Sequence, residues 1–120
     1  MNKNKIIYWS TTGIISAMML FSGFSYLTDV DMKAAFVHLG FPDYFRIELA
    51  ILKILGALTL ILPMISDKIK SFAYFGFALT FVSASIAHYT SGDPISAVVT
   101  PLVFLVILGV SYTFYGKIKR

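Results

Sequence analysis

Apolar residues run along this chain in four long blocks, at residues 6–27, 44–65, 72–89 and 95–115, with short polar segments between them. Each block is close to the roughly 20 helical residues that cross a bilayer. The pattern predicts an all-α, four-transmembrane-helix bundle forming a single domain over residues 1–120. The breaks are readable. Pro63 and the stretch Ser66-Asp67-Lys68 close the second block, and Ser91-Gly92-Asp93-Pro94 opens the fourth. There Asp93 suits an N-cap and Pro94 the first helical position. Pro101, about two turns further in, predicts a local kink. Between the first two blocks, Met32, Ala35, Phe36 and Leu39 recur at i, i+3, i+4 and i+7, and Gly40 can end the turn. Residues 31–39 therefore read as a short amphipathic helix in the first outer loop. It is either a plain interfacial connector or a lid over a cavity between the helices.

The faces of the blocks can be separated at 100° per residue. In the second block, one arc holds Ile47, Ile51, Ile54, Leu55, Leu58, Ile61 and Leu62. The opposite arc holds Arg46, Glu48, Ala50, Lys53, Gly56, Ala57 and Thr59. The first arc is expected to face lipid. The second is expected to face the bundle, because small residues let helices approach and polar ones need partners. By the same reasoning Ala73, Gly76, Thr80, Ser83, Ala84 and Ala87 of the third block point inward, with His88 at the edge of that arc. Phe75, Leu79, Val82 and Ile86 point outward. In the first block Gly13, Ser16, Ala17 and Gly23 are the expected contacts.

Composition agrees with a lipid solvent. The hydrophobic fraction is 58% and the charged fraction 13%, against roughly 45–50% and 25% in ordinary globular chains. A water-soluble chain this short could not hide so much apolar surface. The absence of Cys excludes disulfide scaffolds, thiolate metal sites and thiol redox catalysis. The first block, at about 22 residues, is too long for the apolar core of a signal peptide, so it reads as a retained helix. Seven of the ten Lys and Arg residues (Lys3, Lys5, Lys68, Lys70, Lys117, Lys119 and Arg120) fall on one side of a four-span arrangement, and only Lys33 falls on the other. Both termini are therefore expected in the cytoplasm. The net charge of +4 is accounted for by topology and anionic lipid, and no nucleic-acid partner is expected.

An ionisable residue within a membrane needs a reason. Glu48, Lys53 and His88, with Arg46 and Asp93 at the rim, form a candidate ligand-binding cluster near the outer boundary. With a 1.5 Å rise, Glu48 lies about 6 Å in from Tyr44 and Lys53 about 7.5 Å deeper. Such a cluster suits an anionic or quinone-like ligand, or proton handling. Other readings remain open. Glu48 and Lys53, about 140° apart on one helix, are an ion pair that pins packing. Arg46 snorkels to headgroups, and His88 is an ordinary interfacial histidine. No metal site is expected: His38 and His88 do not form a helical pair, and His38 is placed on the surface loop.

The run His38-Leu39-Gly40-Phe41-Pro42-Asp43-Tyr44-Phe45 and then Leu52-Lys53-Ile54-Leu55-Gly56-Ala57 through Leu62-Pro63 resembles the DoxX-like family. So does Phe72-Ala73-Tyr74-Phe75-Gly76-Phe77, followed by Ser83-Ala84-Ser85-Ile86-Ala87-His88 and Gly92-Asp93. The similarity covers almost the whole chain in order. One departure is Tyr26, where many relatives carry a Lys, which argues against a site needing a cation there. The resemblance implies a small, multi-pass protein of the bacterial inner membrane. Some wider relatives are subunits of quinone-linked oxidoreductases, which implies quinone as a ligand and a membrane redox partner. Three functions follow as expectations. The first is an accessory subunit that binds lipid or a small molecule and has no catalytic centre or cofactor of its own. The second is a quinone-linked redox component, and the third a small transporter acting as a homo-oligomer.

Overall fold

The computed structural model describes residues 2–119. They form five helices: α1 (Lys3–Thr28), α2 (Val30–His38), α3 (Asp43–Ile61), α4 (Asp67–Thr90) and α5 (Ile95–Ile118). Local signals fix most of the boundaries. The Asn2 side chain caps α1 by accepting from the Lys5 amide at 2.9 Å. Asp29 ends α1 and caps α2, accepting from the Asp31 amide at 2.9 Å. Pro63 forces its predecessor out of the helical region, so Leu62 is extended and α3 stops at Ile61, four residues before the predicted end. Ser66 caps α4, which starts five residues before the predicted block.

Two glycines make the sharp turns. Gly40 and Gly92 have φ of +84° and +75°, which a side chain would resist. Each sits in a Schellman motif. Phe41 N–H donates to Phe36 C=O and Gly40 N–H to Val37 C=O; Asp93 N–H donates to His88 C=O and Gly92 N–H to Tyr89 C=O, all at 3.0–3.2 Å. Asp93 is not the N-cap of α5. Pro94 takes that position with no side-chain bond, and the Asp93 carboxylate is left for other partners. α5 continues as one helix through Pro101.

α1, α3, α4 and α5 form a bundle 45 Å long. α1 lies between α3 and α5, and α4 packs closely on α5 and more sparingly on α3. The buried residues follow a 3-4 spacing: Tyr8, Thr12, Ile15 and Met19 on α1; Arg46, Ala50, Lys53, Ala57 and Leu60 on α3; Lys70, Tyr74, Phe77 and Phe81 on α4. This is the geometry of gently crossing bundle helices. α2 lies across one end and inserts Phe36, with Val30, Lys33 and Val37 outward, so a helix forms where 31–39 predicts one but its outer face is apolar as well as polar. The outer surface carries Phe21, Phe24, Phe72, Phe75 and Val106, all well exposed. Exposed aromatic and aliphatic side chains in this density are what a lipid-facing surface requires.

Three helices, α1, α4 and α5, are long and apolar enough to cross a membrane. α3 falls short because it carries four charged residues, Asp43, Arg46, Glu48 and Lys53. Face assignments on α4, α3 and α1 also need correcting. The small residues of α4 do not form its buried face: Gly76 and Ser83 are exposed, while Tyr74, Phe77 and Phe81 fill the core. Small residues do matter, but on the facing helices. A Cβ on Gly56 would lie 2.7 Å from the Phe77 ring, and one on Gly23 would lie 2.8 Å from the Ile54 side chain and 3.0 Å from the Ala50 carbonyl. Ile54 therefore packs against α1 rather than pointing away from the bundle. On α1, Ser16 and Gly23 are buried as predicted, whereas Ala17 is exposed.

Candidate functional site

At the α2 end, four helices bring polar side chains together. α3 buries Lys53, 7% exposed, because it lies on the same stripe as Arg46, Ala50 and Ala57. Its ammonium donates to Ser22 Oγ at 2.9 Å and to the Tyr26 hydroxyl at 2.6 Å, both on α1. The ammonium also lies 3.9 Å from the Tyr26 ring centroid, a cation–π distance. Tyr26, the position where the resemblance finds no cation, thus holds the cation of the neighbouring helix.

Glu48 is not part of this arrangement. It is exposed, and no ion pair joins it to Lys53 among the described residues. The helical period explains the correction. Glu48 stands about 200° around the helix from both Arg46 and Ala50, so the stripe that buries those residues turns Glu48 away. Arg46 does not snorkel outward. It is 8% exposed; its guanidinium donates to Asp43 Oδ1 at 3.1 Å through two nitrogens and to the Tyr26 carbonyl through the third. That carbonyl belongs to the last turn of α1, where intrahelical partners run out. Arg46 therefore ties α3 to the end of α1, and each of its three guanidinium nitrogens has a protein acceptor.

His88 stands near the end of α4, and the Schellman turn after it brings the Asp93 carboxylate back to its ring. Asp93 Oδ2 lies 2.7 Å from His88 Nδ1, and Oδ1 lies 2.8 Å from His38 Nε2 on α2. One carboxylate thus clasps two histidines from different helices. The sequence leaves His38 on a surface loop; only the fold brings it to His88. With Asp93 ionised, both facing ring nitrogens are donors. Asp93 is held below its ordinary pKa by the His88 hydrogen bond first and the His38 hydrogen bond second. With Nδ1 committed, Nε2 is the free ring nitrogen of His88.

Lys53 and His88 border a common cavity of about 320 Å³, with Met18, Ser22, Tyr26, Ala84 and Phe104 among its walls. A second space of about 360 Å³ lies under α2, lined by Phe36, Phe41, Leu49 and Leu79 and sharing Tyr26, Thr80, Ala84 and His88 with the first. Both volumes lie in the range of small-molecule sites. The roof is an aromatic cluster, with Tyr26–Phe36 and Phe41–Phe45 ring centroids at 4.9 and 5.0 Å. A further hollow of about 290 Å³ at the other end, between α4 and α5, is bordered by Tyr74, Phe75 and Tyr112 with no charged group. Sequence reasoning missed Ser22, Tyr26 and His38 as members of the site. Their signal lay in tertiary pairing, and only Asp93, placed at the rim, was within reach of local pattern.

The model of the DoxX-like family matches residues 10–111 of the chain. No curated protein and no solved structure matches the chain.

Proposed function

The chain belongs to the DoxX-like family of membrane proteins, and from that premise we propose that it is a four-span accessory protein that holds a small apolar or lipid-like molecule, with no catalytic centre of its own. The observation that carries this reading is the cavity pair beneath α2, with Lys53 and His88 on the walls of the first. Taking α3 as the fourth span is supported by its packing along α1 and by the sheltering of Arg46 and Lys53 against that helix. In this reading the membrane is the bacterial inner membrane and both termini are cytoplasmic, as the distribution of Lys and Arg favours. Arg120, one of those basic residues, lies outside the described residues. Mass spectrometry of molecules retained by the gently solubilised protein tests the binding reading. A compound present with the native chain and depleted in the Lys53→Met variant is expected; equal content in both removes Lys53 from the site. Reporter fusions test the topology: the C-terminus should report cytoplasm, and fusions at Asp31 and Gly92 the opposite side.

A second reading, a quinone-linked component with a membrane redox partner, is favoured by one feature. Lys53 and His88, from α3 and α4, border the same cavity and offer polar groups to both sides of a ring-shaped ligand. Reconstitution with and without a quinone separates it from the first: saturable quinone binding that needs both residues supports it, and binding indifferent to both rules it out.

A further inference from the structure

The hydrogen-bond inventory around Lys53 is unbalanced in one direction. An ammonium has three donors and no acceptor. Two of the three are used, on Ser22 Oγ and Tyr26 Oη. Those hydroxyls act as acceptors there, so their own protons remain to be donated, and neither makes another hydrogen bond to a described residue. Three donor protons thus meet beside one cavity without a protein acceptor. The charge is met only by the face of the Tyr26 ring and by no anion: no Asp or Glu pairs with Lys53 among the described residues, Glu48 faces away, and Asp93 is engaged by two histidines. A sheltered cation with spare donors calls for a partner that only accepts and carries one negative charge. A carboxylate has that chemistry. The rest of the cavity is mostly apolar, bounded by Met18, Met19, Phe21, Ala84 and Phe104, with His88, Ser25, Thr80 and Thr100 as its further polar walls.

We propose that this cavity takes a single-chain amphiphile with a carboxylate head, of the long-chain fatty-acid class. The head sits at Lys53, Ser22 and Tyr26, and the alkyl chain lies among the methionine and phenylalanine side chains. The inference rests on the small-molecule reading above and narrows it to an anionic head. Lys53 supplies the counter-charge, and the hydroxyls of Ser22 and Tyr26 turn their protons toward the carboxylate oxygens.

The test uses the full chain in nanodiscs of zwitterionic lipid and a photoreactive hexadecanoic acid as probe. The probe is expected to label the segments of α1, α4 and α5 that border the cavity. Excess hexadecanoic acid should reduce labelling at least tenfold, and its methyl ester less than twofold. Lys53→Met should reduce labelling about tenfold, and Lys53→Arg should retain at least half. The competition arm needs no variant, so a folding defect in Lys53→Met does not weaken it. Equal competition by acid and ester, with labelling still in the cavity, overturns the anionic head and leaves the small-molecule reading standing. Absence of cavity labelling by both the acid and a photoreactive alcohol of the same length overturns both.

Discussion

Lys70 and Lys53 are both sheltered in the bundle, 2% and 7% exposed, yet each meets burial differently. Lys70 donates to the carbonyls of Thr59 and Leu60, at 2.8 and 3.0 Å. These are among the last carbonyls of α3, where unpaired acceptors and the negative end of the helix dipole coincide. Its neighbours in that half are also closed. Ser111 bonds Thr12 at 2.6 Å and Tyr74 at 2.7 Å, linking α1, α4 and α5, and only the buried Ser16 hydroxyl lacks a partner among the described residues. Lys53 instead lies in mid-helix and meets two neutral hydroxyls beside open space. The difference is in the acceptors. Backbone carbonyls at a helix end have no protons to give and are completed by a lysine, whereas hydroxyls that accept from a lysine still have protons to donate. Lys70 keeps one unused donor, whereas three donor protons meet at Lys53, so the second site is the one arranged for something more.

The strongest way to break this contrast is at Lys70. Lys70→Met leaves two sheltered carbonyls without their charged donor, and a loss of about 3 kcal/mol is expected from unfolding measured in detergent. A loss below that of Lys53→Met would reverse the assignment of the two halves. Next is Gly23→Ala, whose Cβ would meet the Ala50 carbonyl at 3.0 Å. Backbone cannot yield as a side chain does, so α1 and α3 must separate; about 2 kcal/mol is expected, and unchanged thermal stability would contradict the close approach. Lys53→Met follows at about 1 kcal/mol, because the hydroxyls it leaves adjoin a cavity that water can enter. Its main effect should be on retained ligand.

The clasp at Asp93 gives a smaller and more local effect. Asp93→Asn removes the charge shared by His38 and His88, and amide exchange in α2 should accelerate severalfold while the bundle helices stay protected. The folded-state pKa of Asp93 is depressed, so its contribution is complete above the unfolded value of about 3.9 and is lost as pH falls through the lower folded value. Protection of α2, corrected for intrinsic exchange, should therefore persist in mildly acidic buffer and fail only below that range. The smallest effect is expected at Glu48. Glu48→Gln should change stability by less than about 0.5 kcal/mol, and its coupling to Lys53→Met should be within error of zero, since the two side chains are not paired. A measurable coupling would restore the ion pair that the sequence suggests.

Much of the local structure was legible beforehand. The periodicity at Met32, Ala35, Phe36 and Leu39 marks α2, and Gly40 and Gly92 mark turns that need positive φ. Pro63 marks the end of α3, though placing the stop at Ile61 depends on the residue before the proline. The stripe through Arg46, Ala50, Lys53 and Ala57 was readable, but Glu48 was included by drawing the arc too wide. The α4 face was misread for a different reason. In lipid both faces of a helix are apolar, so the contrast that marks a buried face in water is weak. Small residues then appear to be the only guide, and they fail when aromatic rings such as Phe77 pack into the space over a glycine on another helix.

The sequence by itself determined the helices, the turns at Gly40 and Gly92, the lipid-like composition and the helix that carries Lys53, because each depends on short-range sterics, period and solvent preference. Tertiary structure alone decided the partners. That Lys53 meets Ser22 and Tyr26, that Lys70 closes α3, and that Asp93, while holding His88, reaches His38 across 55 residues all depend on which helices are neighbours and how they are rotated. Those choices are made by packing between surfaces that are nearly equivalent in a one-dimensional pattern, and a hydrogen bond between distant residues leaves no local trace of its partner.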